Sequence, residues 1–279
     1  MAADFLARID WARPWLAHIR EAGEAVANAS DWRDALNERA TQQELRNRAG
    51  LPVRFVSQSE LPAGVAYETF IHDTGGVPTR DNLHDFFNAL VWLTFPHIKV
   101  QLNALQASEI ARAGRLASTD PSLSMVSSGC ATSRGKLRDA ATIFDENAVL
   151  LVTADAGLVD ALRSHAWQEA FVARREAFMQ GCVLLFGHAL MEKLVQPYKS
   201  ITGHMWVVPE TVAQDFQGDS LSLSKLKSMV DIAVSAQLRD GLTTGDFSPL
   251  PMLGVPGWWE GQNQAFYADA AVFRPKRSR

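Results

Sequence analysis

Histidine and carboxylate side chains fall in three separated segments that could meet at one place. The first is Thr79-Arg80-Asp81-Asn82-Leu83-His84-Asp85-Phe86-Phe87-Asn88-Ala89-Leu90-Val91-Trp92. On a helix, at about 100° per residue, Leu83, Phe86, Phe87, Leu90 and Leu93 share one arc, and Asp81, His84, Asp85 and Asn88 share the opposite one. Trp92 and Phe95 continue the polar arc. A solvated face seldom carries two large aromatics in line, so this arc is expected to be covered by another part of the chain. Covered polar groups need partners, and covered charges need them most. The plain account is a hydrogen-bond network that ties the helix to a neighbour. The functional one is contact with a metal or a substrate.

The second segment is Gly187-His188-Ala189-Leu190-Met191-Glu192. His188 and Glu192 are four apart and would share a helix face. This is half of a metalloprotease zinc motif; its second histidine is missing. A histidine at a helix start is kept neutral by the helix dipole, which suits metal ligation, although a satisfied core histidine is the plainer account and the one favoured here. The third segment, Ile201-Thr202-Gly203-His204-Met205-Trp206, reads as a strand with His204 and Trp206 on one face. Together His84, Asp85, His188 and His204 make a possible ligand set for a divalent metal. Asp85, Asn88, Arg138 and Asp139 are the candidate catalytic residues, with Arg138 beside Asp139 read either as a substrate contact or as a salt-bridged start to a strand. Asp145 and Glu146 read as hairpin-turn residues, and Lys99, Asn103 and Gln106 as a solvated helix face. Ser127-Ser128-Gly129-Cys130 lacks the Gly-x-Ser-x-Gly pattern of a nucleophile elbow. There is no Walker-type loop and no Gly-x-Gly-x-x-Gly, so the common routes to ATP, GTP and dinucleotides are not supported.

The elements that would carry these residues can be sketched. Residues 4–27 read as one or two amphipathic helices with Pro14 near a start or bend. Ser30 would cap a helix over 31–48, ended by Gly50. Val53–Val56 and Val65–Ile71 alternate like strands around a Leu61-Pro62-Ala63-Gly64 turn, and Gly75–Thr79 reads as a loop. Thr79 or Asp81 would cap a helix to Thr94, with Pro96 breaking it before a second helix over 97–115. Ser118–Gly135 is a long Ser/Thr/Gly-rich loop. Ala140–Thr153 reads as a β-hairpin turning at Asp145-Glu146-Asn147. A helix over 156–173 follows, then an apolar run over 181–186 that could be strand or helix, then a helix over 188–195, a strand over 202–208 and an amphipathic helix over 222–239. The Pro-, Gly- and Trp-rich end resembles a segment wrapped on a surface. The fold class expected is α+β: one helix-rich domain over 1–279, with its core over 8–276, a small mixed or antiparallel sheet, and a short basic tail over 274–279.

Composition sets the surroundings. Apolar residues make up 47 % of 279, enough for a sizeable core, and the net charge of −4 gives no general attraction to nucleic acid or to an anionic membrane. Two cysteines are too few for a disulfide framework. The longest charge-free apolar stretches, 86–98 and 177–191 in outline, fall short of the roughly 18–20 residues of a membrane span. No signal peptide opens the chain, so the cytosol is the expected address.

Long motifs also carry a resemblance. Pro78 to Trp92 with Phe95-Pro96, Lys99 and Asn103 resembles the signature of the bacterial domain of unknown function 3025 family. So do Ile143–Asn147, Phe186–Leu190, Pro249–Trp258, Phe266–Asp269 and Val272–Pro275. The resemblance covers roughly residues 8–276 and implies no reaction. From the residues themselves, the leading expectation is a metal-dependent, hydrolase-like enzyme. His84, Asp85, His188 and His204 would hold a divalent ion that activates water, and Arg138 or Lys99 would balance an anionic substrate. The alternative is a non-enzymatic binding or scaffold protein that docks a partner through its Pro/Trp-rich carboxyl-terminal segment, with Trp258 and Trp259 as anchors. A third reading binds a small anionic ligand at Arg80, Lys99 and Arg138 without catalysis.

Overall fold

The computed structural model describes residues 4–119, 135–218 and 222–276. Near the amino terminus, α1 (Arg20–Ala27) and α2 (Trp32–Gln42) lie against the core through Val26, Trp32, Leu36 and Ala40. The cap of α2 is Asp31, whose carboxylate accepts from the Arg33 and Asp34 amides, one residue beyond the expected Ser30. Next comes β1 (Arg54–Ser57), then α3 (Tyr67–Thr74) and β2 (Gly76–Thr79), which returns parallel to β1 with Phe55 opposite Val77.

This corrects the strand expected over 65–71. The run is short enough to fit both periods, and the connection between parallel strands has to cross over, which a helix does. Gly75 ends α3 with φ 74°, its amide bonding the Ile71 carbonyl; a Cβ there would lie 2.2 Å from the Pro52 carbonyl oxygen, so only glycine serves. The expected loop over 75–79 is therefore largely strand β2.

Asn82 caps α4 (Leu83–Thr94) by accepting from the Asp85 amide at 2.8 Å. Pro96 opens α5 (Pro96–Thr119), as its fixed φ and missing N–H favour. No side chain of its own sequence neighbourhood caps α5. Asp231, on a distant helix, does so, accepting from the His97 and Ile98 amides at 3.0 and 2.9 Å.

α6 (Lys136–Asn147) runs without a break into β3 (Ala148–Val152). The hairpin expected over 140–153 is thus a helix followed by a strand. Leu137, Ala140, Ala141 and Phe144 recur at helical spacing and turn their stripe to the core. α7 (Ala156–Arg163), a π-helical turn at Glu169–Ala173 and α8 (Arg175–Gln180) replace the single helix expected over 156–173. Then follow β4 (Cys182–Leu185), α9 (His188–Lys193), β5 (Thr202–Val207), α10 (Glu210–Gly218), α11 (Leu223–Arg239), β6 (Ser248–Pro251) and α12 (Gln264–Tyr267). Ser222 caps α11 as the sequence suggests.

The second sheet has the order β4-β3-β5-β6. Its centre, Ala-Val-Leu-Leu-Val, has no polar side chain because it is buried on both faces. β3 pairs antiparallel with β4, Val149 opposite Leu185, and parallel with β5, Ala148 opposite His204. β6 forms an edge, where Pro249 and Pro251 cost no ladder bond toward another strand. The result is a helix-rich α+β fold with one hydrophobic core extending from Leu6 to Phe273. Among the described residues no helix is long and apolar enough to cross a membrane. Most of the Ser118–Gly135 stretch, with Ser127–Cys130, and the terminal Arg277–Arg279 lie outside the described residues.

Candidate metal centre

Three elements converge beside the start of β3. α4 brings His84 in its first turn, α6 brings Asp145 and Glu146 in its last, and α9 brings His188 at its first position. Sheet pairing enforces the meeting. β3 continues α6, β4 runs beside it, and α9 begins three residues after β4, with the Phe186 and Gly187 amides both bonded to the Ala148 carbonyl. Gly187 is the close approach: a Cβ there would sit 2.5–2.6 Å from the Asn147 backbone.

The Nε2 atoms of His84 and His188 are 3.1 Å apart. The Oε1 of Glu146 is 3.8 Å from the His188 Nε2. One ligand-type atom from each of His84, Glu146 and His188 lies within 4.8 Å of the others. Behind the rings stand two more carboxylates. His84 Nδ1 is 3.1 Å from Glu192 Oε2, and His188 Nδ1 is 4.0 Å from Asp145 Oδ2. Asp145 accepts from Lys99 Nζ at 2.6 Å, and Lys99 also donates to Asn88 Oδ1 at 2.8 Å and lies over the Trp92 ring. Asn88 Nδ2 donates to the Tyr67 hydroxyl at 3.0 Å. His188 is 4 % exposed at its side chain, whereas His84 and Glu146 are about one-third exposed, so the group opens to solvent on one side.

Burial depresses the His188 pKa to about 4, against the pull of Asp145, and keeps the ring neutral at pH 7. Burial would raise Asp145, but Lys99 and His188 outweigh it and the carboxyl titrates below its ordinary value. Glu146 is raised, chiefly by burial, with His84 opposing.

Of the expected ligands, the structure brings His84 and His188 together and places the other two elsewhere. Asp85 is fully engaged by Arg80, accepting from its Nε at 2.9 Å, its Nη2 at 3.0 Å and its backbone amide at 2.7 Å. Three of its four lone-pair sites are taken by Arg80. His204, on β5, is half-buried with its ring edge-on to Phe247 at 6.0 Å, and its Nδ1 has no hydrogen-bond partner. Glu146, read from sequence as a turn residue, is the carboxylate that stands with the two histidines. Adjacent Asp145 and Glu146 both reach the group because it sits at the helix end: Asp145 faces Lys99 and the Nδ1 side of His188, Glu146 its Nε2 side.

Among the candidate catalytic residues, Asn88 is a buried link between Tyr67 and Lys99. Arg138 is half-buried with an unpartnered Nε, and Asp139 is exposed in the first turn of α6. Lys99, Asn103 and Gln106 are buried and not a solvated face; Asn103 donates to the Glu68 carboxylate at 2.7 Å. The covered arc of α4 is as expected: Asp85, Asn88, Trp92 and Phe95 are all buried. Glu192 does share a face with His188, but its hydrogen bond goes to His84. Trp258 and Trp259 are partly buried against the core, with Trp258 5.9 Å from Trp15.

A family model described as a protein of unknown function (DUF3025) matches residues 53–277. The chain belongs to that family. No curated protein and no solved structure matches it. All the residues of this DUF3025 member that form the histidine–carboxylate group, from His84 to Glu192, lie inside the matched span.

Proposed function

We propose that the protein binds a divalent metal ion through His84, Glu146 and His188 and uses it to activate water for hydrolysis. One observation carries the reading: the facing of the two Nε2 atoms at 3.1 Å, with the Glu192 carboxylate hydrogen-bonded to His84 Nδ1 and the Asp145 carboxylate 4.0 Å from His188 Nδ1. A carboxylate can only accept, so it favours an N–H at the Nδ1 it faces. Two imidazoles protonated at Nδ1 then present lone pairs to each other across the gap, an arrangement that calls for a cation between them. Bonds of about 2.0–2.1 Å to two nitrogens so spaced enclose an angle of roughly 100°, between octahedral and tetrahedral values. Two histidines and a glutamate leave a position for water, as catalytic sites do. Carboxylates behind the rings orient and strengthen the ligands.

In this reading a bound ion lowers the pKa of its water toward neutral and polarises the scissile ester, amide or phosphoester group. His188 is held neutral by burial and ready to ligate. Lys99 holds the Asp145 carboxylate, which lies 4.0 Å from His188 Nδ1; being committed there, Lys99 is not available to meet a substrate. The cytosol, suggested by composition, is the address that goes with this function.

The test is metal content followed by reconstitution. Chelator-treated protein should take up one zinc or cobalt ion per chain, the cobalt form showing d–d absorption. His84→Ala and His188→Ala should each weaken binding at least about 100-fold and Glu146→Gln about 10-fold or more, the scale seen for lost ligands and their supports. The loaded protein should hydrolyse activated esters or phosphoesters in a screen. Less than about 0.1 ion per chain and a featureless cobalt spectrum would end the metal reading. Tight metal with no hydrolysis of any class would leave a binding protein.

A further inference from the structure

A wide cleft among the described residues lies elsewhere, and none of its walls belongs to the histidine–carboxylate group. It has a volume of about 1140 Å³ and runs beside the edge strand β6, between α7, the last turn of α11 and the end of the described chain. We propose that it is a separate site for an amphipathic organic anion, a flat apolar ring bearing a phosphate, sulfonate or carboxylate.

Charge is the first argument. Arg163, Arg274 and Lys276 line the cleft against a single carboxylate, Asp246. Asp246 is already committed, accepting from the Thr243 amide at 2.6 Å and the Thr243 hydroxyl at 3.0 Å. Among the described residues no carboxylate pairs with any of the three cations. Lys276 Nζ donates to the Arg163 carbonyl at 3.1 Å and Arg274 Nε to the Ala271 carbonyl at 3.1 Å. Each bond orients its side chain while leaving the charge unneutralised, on a chain whose net charge is −4. An anion supplied from outside would complete the pairing.

The second argument is the apolar half. Phe247 is half-buried and packs at 5.7 Å on Trp206, whose indole N–H is held by Gln237 Oε1 at 2.8 Å. On another wall His165 stacks on Trp167 at 4.9 Å and 25°. His165 occupies the left-handed position after α7, φ 59°, where the Ala166 amide returns to the Ala161 carbonyl and glycine is the usual residue. An imidazole is thus kept at a place that a residue without a side chain would fill more easily. Its ring lies within reach of the Arg274 and Pro275 carbonyls. Rings on the walls and cations at the rim match a ligand with a flat body and an acidic end. The volume is slightly above the few hundred to about 1,000 Å³ that small-molecule sites occupy, room enough for such a ligand with its water.

Two probes test this on the full chain: adenosine monophosphate and 1-anilinonaphthalene-8-sulfonate, each titrated by calorimetry, with inorganic phosphate and adenosine as separate arms. At least one probe is expected to bind saturably at one per chain. Phosphate and adenosine alone should each bind at least about ten times more weakly than the monophosphate if that is the probe bound. Arg163→Glu with Lys276→Glu should weaken the bound probe at least about ten-fold, with the circular dichroism spectrum unchanged. His84→Ala should leave probe binding intact, so failure of the metal reading and failure of this one are separable. No binding of either probe, binding indifferent to the two charge reversals, or phosphate alone matching the monophosphate would overturn the proposal.

Discussion

Replacing Lys99 by Met should destabilise the metal-free protein by about 3–5 kcal/mol, the cost of stranding one member of a buried ion pair. Lys99 and Asp145 are 2.6 Å apart, with side chains 5 % and 12 % exposed. At an effective dielectric constant near 20, that separation corresponds to a gross attraction of about 6 kcal/mol, most of which offsets the desolvation of the two charges. Removing the ammonium leaves the desolvation of Asp145 in place. Burial is already the largest influence on that carboxyl, and without Lys99 it would drive the pKa upward. The sign of the pH dependence follows. An acid whose folded pKa lies above its unfolded value is penalised at neutral pH, and the penalty fades as pH falls toward the unfolded value of about 3.9. Adding Asp145→Asn to the Lys99→Met protein removes both charges and should restore stability to within about 1–2 kcal/mol of the parent. Urea denaturation in chelator at pH 7 and at pH 5 reads all four proteins of the cycle. A loss below about 1 kcal/mol for Lys99→Met, or a double variant that costs the sum of the singles, would refute the reasoning.

Two further outcomes are expected. His18 donates from Nε2 to the Leu185 carbonyl at 2.8 Å, and burial lowers its pKa to about 4. The unfolded chain takes up that proton first, so its contribution is whole above pH 6.5 and is lost as pH falls to about 4, about 3 kcal/mol in all. His18→Gln should flatten the acid limb of stability against pH by that amount; parallel curves would count against it. Gly187→Ala should cost about 1–3 kcal/mol, as overpacking does, because the new methyl meets Asn147 backbone atoms at 2.5–2.6 Å. The move it forces also separates His188 from Glu146, so cobalt affinity should fall at least about ten-fold; unchanged affinity would show that α9 is not positioned by this contact.

The helices around the site were legible in sequence where local signals agree. Pro96 opened α5, Ser222 capped α11, and Trp92 and Phe95 in line with Asp85 and Asn88 showed that the polar arc of α4 is covered. The histidine pair was legible as residue types at helix starts. Glu146 was not, because Ala140–Phe144 carries the β-branched and aromatic residues of a strand while its Leu137–Phe144 stripe is helical, and the stripe won. With α6 read as a hairpin, both carboxylates were assigned to a turn. Lys99 was hidden for a different reason. A lysine on a helix is ordinarily solvated, and only Asp145 and Asn88, 46 and 11 residues away, make its burial tolerable. The cap of α5 by Asp231, 134 residues from His97, is likewise invisible to any local pattern.

The direct passage of α6 into β3, with α9 starting just past β4, makes the histidine–carboxylate group a readout of strand alignment. One residue of slippage in that antiparallel ladder would slide His188 past Glu146 by about 3.4 Å and invert every side chain of the slipped strand. Lengthening by a single amino acid within 148–152 or 182–185 therefore erases the group even if the chain still collapses, whereas insertions between α7 and α8 leave it untouched.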